Sequence, residues 1–143
     1  MEARDLIDRL KQLHQEGATE ELTDQFAEPL IVFPVAGPSR RAWRKDIRTA
    51  VERLLAASKT AGVASLRWEE LALETQASRN HSILVRWLYL DRDQALVAHS
   101  EVRYFCGTVD GGPLKVHMIE YLSVAFSTVL SDMPKPVIPK RSI

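Results

Sequence analysis

Apolar residues recur at three- and four-residue steps through Leu6, Ile7, Leu10 and Leu13, with Arg4, Asp8, Arg9, Lys11 and Gln12 between them. That period predicts an amphipathic helix, and Gly17 marks its stop. A second, short helix is predicted from Thr19. Thr19 serves as its N-cap, and Glu20 and Glu21 stand in the first turn, where carboxylates suit the helix dipole. This helix would bury Leu22 and Phe26 and end at Pro29. The run Leu30-Ile31-Val32-Phe33, bounded by Pro29 and Pro34, reads as a strand. A turn at 36–39 leads to a third and longest helix, predicted over about 40–61. Trp43, Ile47, Val51, Leu54, Leu55 and Ser58 form its inward stripe, and Gly62 caps it.

From Val63 the period drops to two, which means strands. Leu66 and Trp68 alternate with Arg67 and Glu69, and then Leu71, Leu73 and Thr75 continue with the opposite parity. A parity switch at Glu69-Glu70 predicts a β-bulge. Strands follow over 81–90, 95–109 and 114–130, separated by a turn at 91–94 and a hairpin loop at 110–112. Helices first and then a meander of long antiparallel strands predict an α+β domain, three N-terminal helices packed on a curved, mostly antiparallel sheet. The domain is expected over 1–130, with a Pro-rich basic tail over 131–143.

Turn lengths imply register. Pairing Asp91 with Gln94 sets Trp87 opposite Ala98 and Arg86 opposite His99, so Ile83, Val85, Trp87 and Tyr89 face the helices with Ser100, Val102 and Tyr104. In the last strand Leu114, Val116, Met118, Leu122, Val124 and Phe126 share one parity with a single charged residue, Glu120. Their apolar character assigns that parity to the covered face, through a three-residue loop at 110–112. A two-residue loop would put Glu120 outside, beside Arg103, because a slip of one residue reverses every side chain.

Composition narrows the function. Nineteen basic and nineteen acidic residues cancel, which argues against a nucleic-acid-binding protein. Arg40, Arg41, Arg44, Lys45 and Arg48 cluster at the start of the third helix, where Asp46, Glu52 or solvent can balance them. No run of about 18 apolar residues signals a membrane span. The start of the chain lacks the apolar stretch of a signal peptide, and the lone Cys106 has no intrachain partner. A cytoplasmic protein is expected. His14, His81, His99 and His117 are not spaced as metal ligands on one element, so neither metal nor other cofactor is expected. Glycine-rich phosphate loops and nucleophile elbows are missing as motifs.

The order of elements resembles the nuclear transport factor 2-like superfamily, in its SnoaL-like branch, over about residues 6–126. Two local stretches share in the resemblance: Phe26-Ala27-Glu28-Pro29-Leu30-Ile31-Val32-Phe33, and Asp110-Gly111-Gly112 with the strand from Leu114 to Tyr121. The resemblance implies a cone-shaped, cystatin-like fold with a pocket between helices and concave sheet, and a homodimer formed through the outer sheet face. Its enzymes often carry Trp-x-Asp-Tyr-Phe-Asp in the last strand. Met118-Ile119-Glu120-Tyr121-Leu122-Ser123 stands there, with Glu120 on the first acid and Ser123 in place of the second.

Glu120 is therefore the candidate catalytic residue: a carboxylate among apolar neighbours has a raised pKa, suited to acid–base work near neutrality. A structural carboxylate paired to an arginine is the plainer alternative. Trp68, Trp87, Tyr89, Ser100, Val102, Tyr104 and Met118 are expected to line the pocket. Leu84, Arg86, Leu88, Val97, His99, Glu101, Arg103, Phe105, His117, Ile119 and Tyr121 are expected on the outer, dimer-forming face. Three readings stand: a domain binding a small apolar or amphipathic ligand; a cofactor-independent isomerase, dehydratase or hydrolase using Glu120; and a protein-interaction module using the outer sheet and tail.

Overall fold

The computed structural model describes residues 1–76, 80–128 and 130. The expected tail at 131–143 and most of the loop at 77–80 lie outside the described residues. The described residues form three helices: α1 (Ala3–Glu16), α2 (Thr19–Thr23) and α3 (Arg44–Thr60). They accompany β1 (Phe26–Phe33), β2 (Arg40–Ala42), β3 (Ser65–Gln76), β4 (Asn80–Leu90), β5 (Leu96–Gly107) and β6 (Lys115–Ser123). The strands form one sheet in the order β2-β1-β6-β5-β4-β3. All neighbours are antiparallel except β1 and β6, which run parallel. Among the described residues no helix is long and apolar enough to cross a membrane.

The stripe of α1 is as periodicity predicts: Leu6, Ile7, Leu10 and Leu13 are buried, and Gly17 ends the helix in the left-handed region at φ 66°. Asp5 closes the first turn by accepting from the Glu2 N–H at 2.8 Å. These side chains join Ile47 and Val51 of α3 in a core over Ile83, Val85, Trp87 and Tyr89 of β4.

The structure corrects several boundaries. Phe26 and Pro29 belong to β1, not to α2. The Gln25 carbonyl accepts from the Val116 N–H at 2.9 Å, drawing this segment into the sheet. Pro29 is tolerated because the β1–β6 ladder shifts register between Phe26 and Ile31, where its missing N–H is not needed; the Glu28–Pro29 peptide bond is cis. Residues expected to begin the third helix form β2 instead, and Trp43, expected inside, sits at the helix start 52% exposed. The last strand stops at Ser123, well short of Leu130.

Two members of the basic cluster at the head of α3 form ion pairs, while the buried Nε of Arg40 has no hydrogen-bond partner among the described residues. Arg44 reaches Glu20 at 3.2 Å and Asp24 at 2.6 Å, and Arg48 reaches Glu20 at 2.7 Å and Glu52 at 3.1 Å.

Candidate functional site

A cavity of about 100 Å³ lies between the helices and the sheet. Its walls follow from the two periodicities. The helical stripes supply Leu10 and His14 from α1, Leu22 from α2, and Ile47, Val51 and Leu54 from α3. Alternation along the strands supplies Trp87 and Tyr89 from β4, Ser100, Val102 and Tyr104 from β5, and Ile119 and Tyr121 from β6. The segment after β6 closes the far side with Val124, Phe126 and Leu130.

The polar atoms here are few and neutral. Trp87 donates through Nε1 to the Tyr104 hydroxyl at 2.8 Å, and the two rings meet edge-on at 89°. Tyr89 packs edge-on against Phe126, with ring centroids 5.0 Å apart. Burial pushes the Tyr89 phenol up to about 12, against the opposing effect of a hydrogen bond with Ser100. Burial also raises the phenols of Tyr104 and Tyr121. His14 is pushed down to about 4 by burial, so its imidazole is neutral near pH 7. Its Nε2 lies 3.3 Å from the Ser58 hydroxyl. Among the described residues lining the cavity there is no Asp, Glu, Lys or Arg.

Five of the seven residues expected in the pocket wall are brought together there: Trp87, Tyr89, Ser100, Val102 and Tyr104. Trp68 is not among them; its Nε1 donates instead to Asp8 of α1 at 2.8 Å. Met118 is not either, and neither is Glu120. The reason is one bulge. Close to the hairpin the expected register holds, with Cys106 opposite Val116. The ladder then shifts between Phe105 and Cys106, so Phe105 pairs with Met118, Tyr104 with Ile119 and Arg103 with Glu120. An extra residue in β6 reverses the side chains from Met118 to Tyr121, up to a second register shift between Glu101 and Val102. Glu120 consequently lies on the outer face, paired with Arg103. This corrects the inward placement of Glu120 and Met118, and removes Glu120 from acid–base work in the cavity. The same bulge turns Ile119 and Tyr121, expected outside, into the cavity wall.

The other outer-face expectations concern Leu84, Arg86, Leu88, His99, Glu101, Arg103 and His117. Arg86, paired with Glu101 at 2.9 Å and Glu69 at 3.6 Å, runs a line of charge across this face. Leu84, opposite Arg103, and Leu88, opposite His99, are half-buried beside it. His117, at the bulge, contacts the Gly107 carbonyl at 2.9 Å through Nε2. Cys106 is buried at 2% exposure, and burial pushes its thiol up to about 12, leaving it an inert apolar residue.

Sequence reasoning missed His14. The signal was present: His14 follows Leu10 by four residues, on the stripe of α1 that faces the core.

No family model matches the chain, and no curated protein matches it. Solved structures do. A domain of unknown function with a cystatin-like fold from Nostoc punctiforme is 18% identical, with a TM-score of 0.63 over 88% of this chain and 76% of that one. A nuclear transport factor 2-like protein with a cystatin-like fold from Novosphingobium aromaticivorans is 15% identical, with a TM-score of 0.60 over 82% and 77%. A ketosteroid isomerase-like protein from Erwinia carotovora is 5% identical, with a TM-score of 0.57 over 85% and 94%. The chain therefore has the nuclear transport factor 2-like, cystatin-like fold.

Proposed function

We propose that this protein binds an uncharged, mostly apolar small molecule, about the size of one aromatic ring, between its helices and its sheet. The observation that carries the reading is the lining: aliphatic and aromatic surface, a few polar tips and, among the described residues, no ionised side chain. Such a site rewards apolar contact and gives a ligand charge nothing to pair with. Its size sets the scale, since an engineered cavity of about 150 Å³ takes up benzene.

Turnover is less well supported. An acid–base step at neutral pH works best with a group whose pKa lies near 7. The imidazole of His14 sits far below that, and the phenol of Tyr89 far above. Titration of the full chain with phenol, indole and benzoate, followed by ligand-observed NMR, tests the binding reading. The two neutral rings are expected to bind and benzoate to bind at least tenfold more weakly. Equal binding of benzoate, or no saturable binding of any probe, overturns it.

We infer further that two copies pair through the outer sheet face. Phe33, Val97 and Leu122 lie exposed on it among the arginines, the mixture that interface centres favour. Sedimentation at micromolar concentration should find a dimer, and Leu88→Asp with Leu122→Asp should dissociate it. A monomeric wild type, or a dimer indifferent to both changes, overturns this part. Placement in the SnoaL-like branch, one domain over 1–130 and a cytoplasmic setting complete the proposal. They rest on element order and on the lone thiol of Cys106.

A further inference from the structure

Two spaces meet at His14. It lines the inner cavity, and it also lines a groove of about 380 Å³ at the ends of α1 and α3 and the start of β3. Among the described residues Leu66 is the other one common to both. The His14 ring stands between the two spaces. Its centroid is 6.0 Å from that of Tyr89 in the cavity wall, and its Nε2 is 3.3 Å from the hydroxyl of Ser58, which lines the groove. The neighbouring side chains of α3 divide in the same way, Leu54 to the cavity and Leu55 to the groove.

The two shared residues differ in freedom. Leu66 is fixed in the sheet opposite Tyr89, and its N–H donates to Gln15 Oε1 at 2.9 Å. The imidazole hangs from a helix on two rotatable bonds and is held by a single long hydrogen bond. Swinging the ring leaves the buried Ser58 hydroxyl without this partner, so the open position is the minor one and is reached at the cost of one hydrogen bond.

We propose that His14 is the gate of the cavity: swinging its ring off Ser58 joins cavity and groove into one channel, so that His14 sets the length of ligand the protein accepts. The proposal rests on the binding function argued above and deepens it. With the ring in place the site takes a ring-sized molecule. With the ring swung aside it takes an uncharged aromatic head carrying a linear tail. The head occupies the apolar cavity, and the tail runs past Leu55 into the groove toward Gln15 and Lys59.

The test compares phenol with 4-octylphenol on the full chain, measuring affinity and association rate by competition and stopped-flow fluorescence. In wild type, 4-octylphenol should associate at least tenfold more slowly than phenol. His14→Ala should raise the rate and affinity for 4-octylphenol relative to phenol tenfold or more. His14→Phe, which refills the gap with an apolar ring, should keep the wild-type preference. Ser58→Ala, which frees the ring without altering the cavity wall, should speed 4-octylphenol in the same direction as His14→Ala. If phenol binds but neither His14→Ala nor Ser58→Ala alters the ratio of the two probes, the gate is overturned and the binding function stands. If folded wild type binds neither probe saturably, the binding function falls and the gate with it.

Discussion

The two faces of the central sheet share one backbone and obey opposite rules. The inner face carries Val85, Trp87, Val102, Tyr104, Ile119 and Tyr121, with its polar atoms paired to one another or held neutral by burial. The outer face, one residue away along each strand, sets Arg86 between Glu69 and Glu101 and Arg103 against Glu120. Water explains the difference. Outer-face charges keep part of their hydration, so an ion pair there costs little to form and contributes little. Inside, an unpaired charge would lose its hydration with nothing to replace it. The inner polar groups therefore keep the protonation state that carries no charge.

The sharpest way to break this contrast is to put the same carboxylate on each face of β6. Ile119→Asp enters the cavity wall at a position 3% exposed; it should cost about 4 kcal/mol or more, enough to unfold a marginal domain. Leu122→Asp, at a position 41% exposed on the outer face, should change monomer stability by less than about 0.5 kcal/mol. Urea midpoints measured below the dimer dissociation constant decide it, and equal midpoints would erase the distinction.

Acid probes the inner face next. His14 has a folded pKa of about 4 against an ordinary 6.5, so the unfolded chain takes up the proton first as pH falls. The stability is fully present above pH 6.5. Roughly 3 kcal/mol of it should be lost as pH falls from about 6.5 to 4. His14→Phe should flatten that slope in denaturant titrations across the range; an unchanged slope would mean that His14 is solvated.

Two smaller effects sharpen the picture. Tyr104→Phe removes the acceptor of the Trp87 Nε1–H inside the sheet, and should cost about 1–3 kcal/mol by calorimetry. Glu120→Gln breaks the outer pair with Arg103, and should cost less than about 1 kcal/mol, falling further as salt is added. A larger loss for Glu120→Gln than for Tyr104→Phe would invert the ranking of the two faces.

The sheet also shows what alternation in a sequence can and cannot reveal. Both β3 and β6 contain a bulge. In β3 the switch is legible at Glu69-Glu70, because Arg67 and Glu69 mark one face as solvated before apolar parity changes; the register shift falls between Glu70 and Ala72. In β6 it is hidden. Met118 and Leu122 are apolar on the outer face as Ile119 and Tyr121 are on the inner, so no polar residue announces the reversal. The apolar residues of the even parity outvote Glu120, its one charged member. The β4–β5 hairpin errs more gently. Gln94 takes φ 62° and Asp91 meets Ala95, so Trp87 faces Ser100 rather than Ala98. A slip of two preserves every face, and the expected wall of Trp87, Tyr89, Val102 and Tyr104 survives it. β2 was illegible because Arg40-Arg41-Ala42 is short, charged and continuous with a strong helical pattern.

The parallel pairing of β1 with β6 joins the first strand of the chain to the last. The meander from β3 to β6 can assemble from neighbouring segments, and so can the β1–β2 hairpin. The seam between them closes only across the longest loop in the sheet, at the greatest entropic cost. On a ribosome that seam cannot form until Glu120 has emerged, and it is the seam that brings Leu30 and Ile119 into one cavity wall. Among the described residues the binding site is therefore the last part to come into existence, and during synthesis its apolar wall is surface that a chaperone can hold.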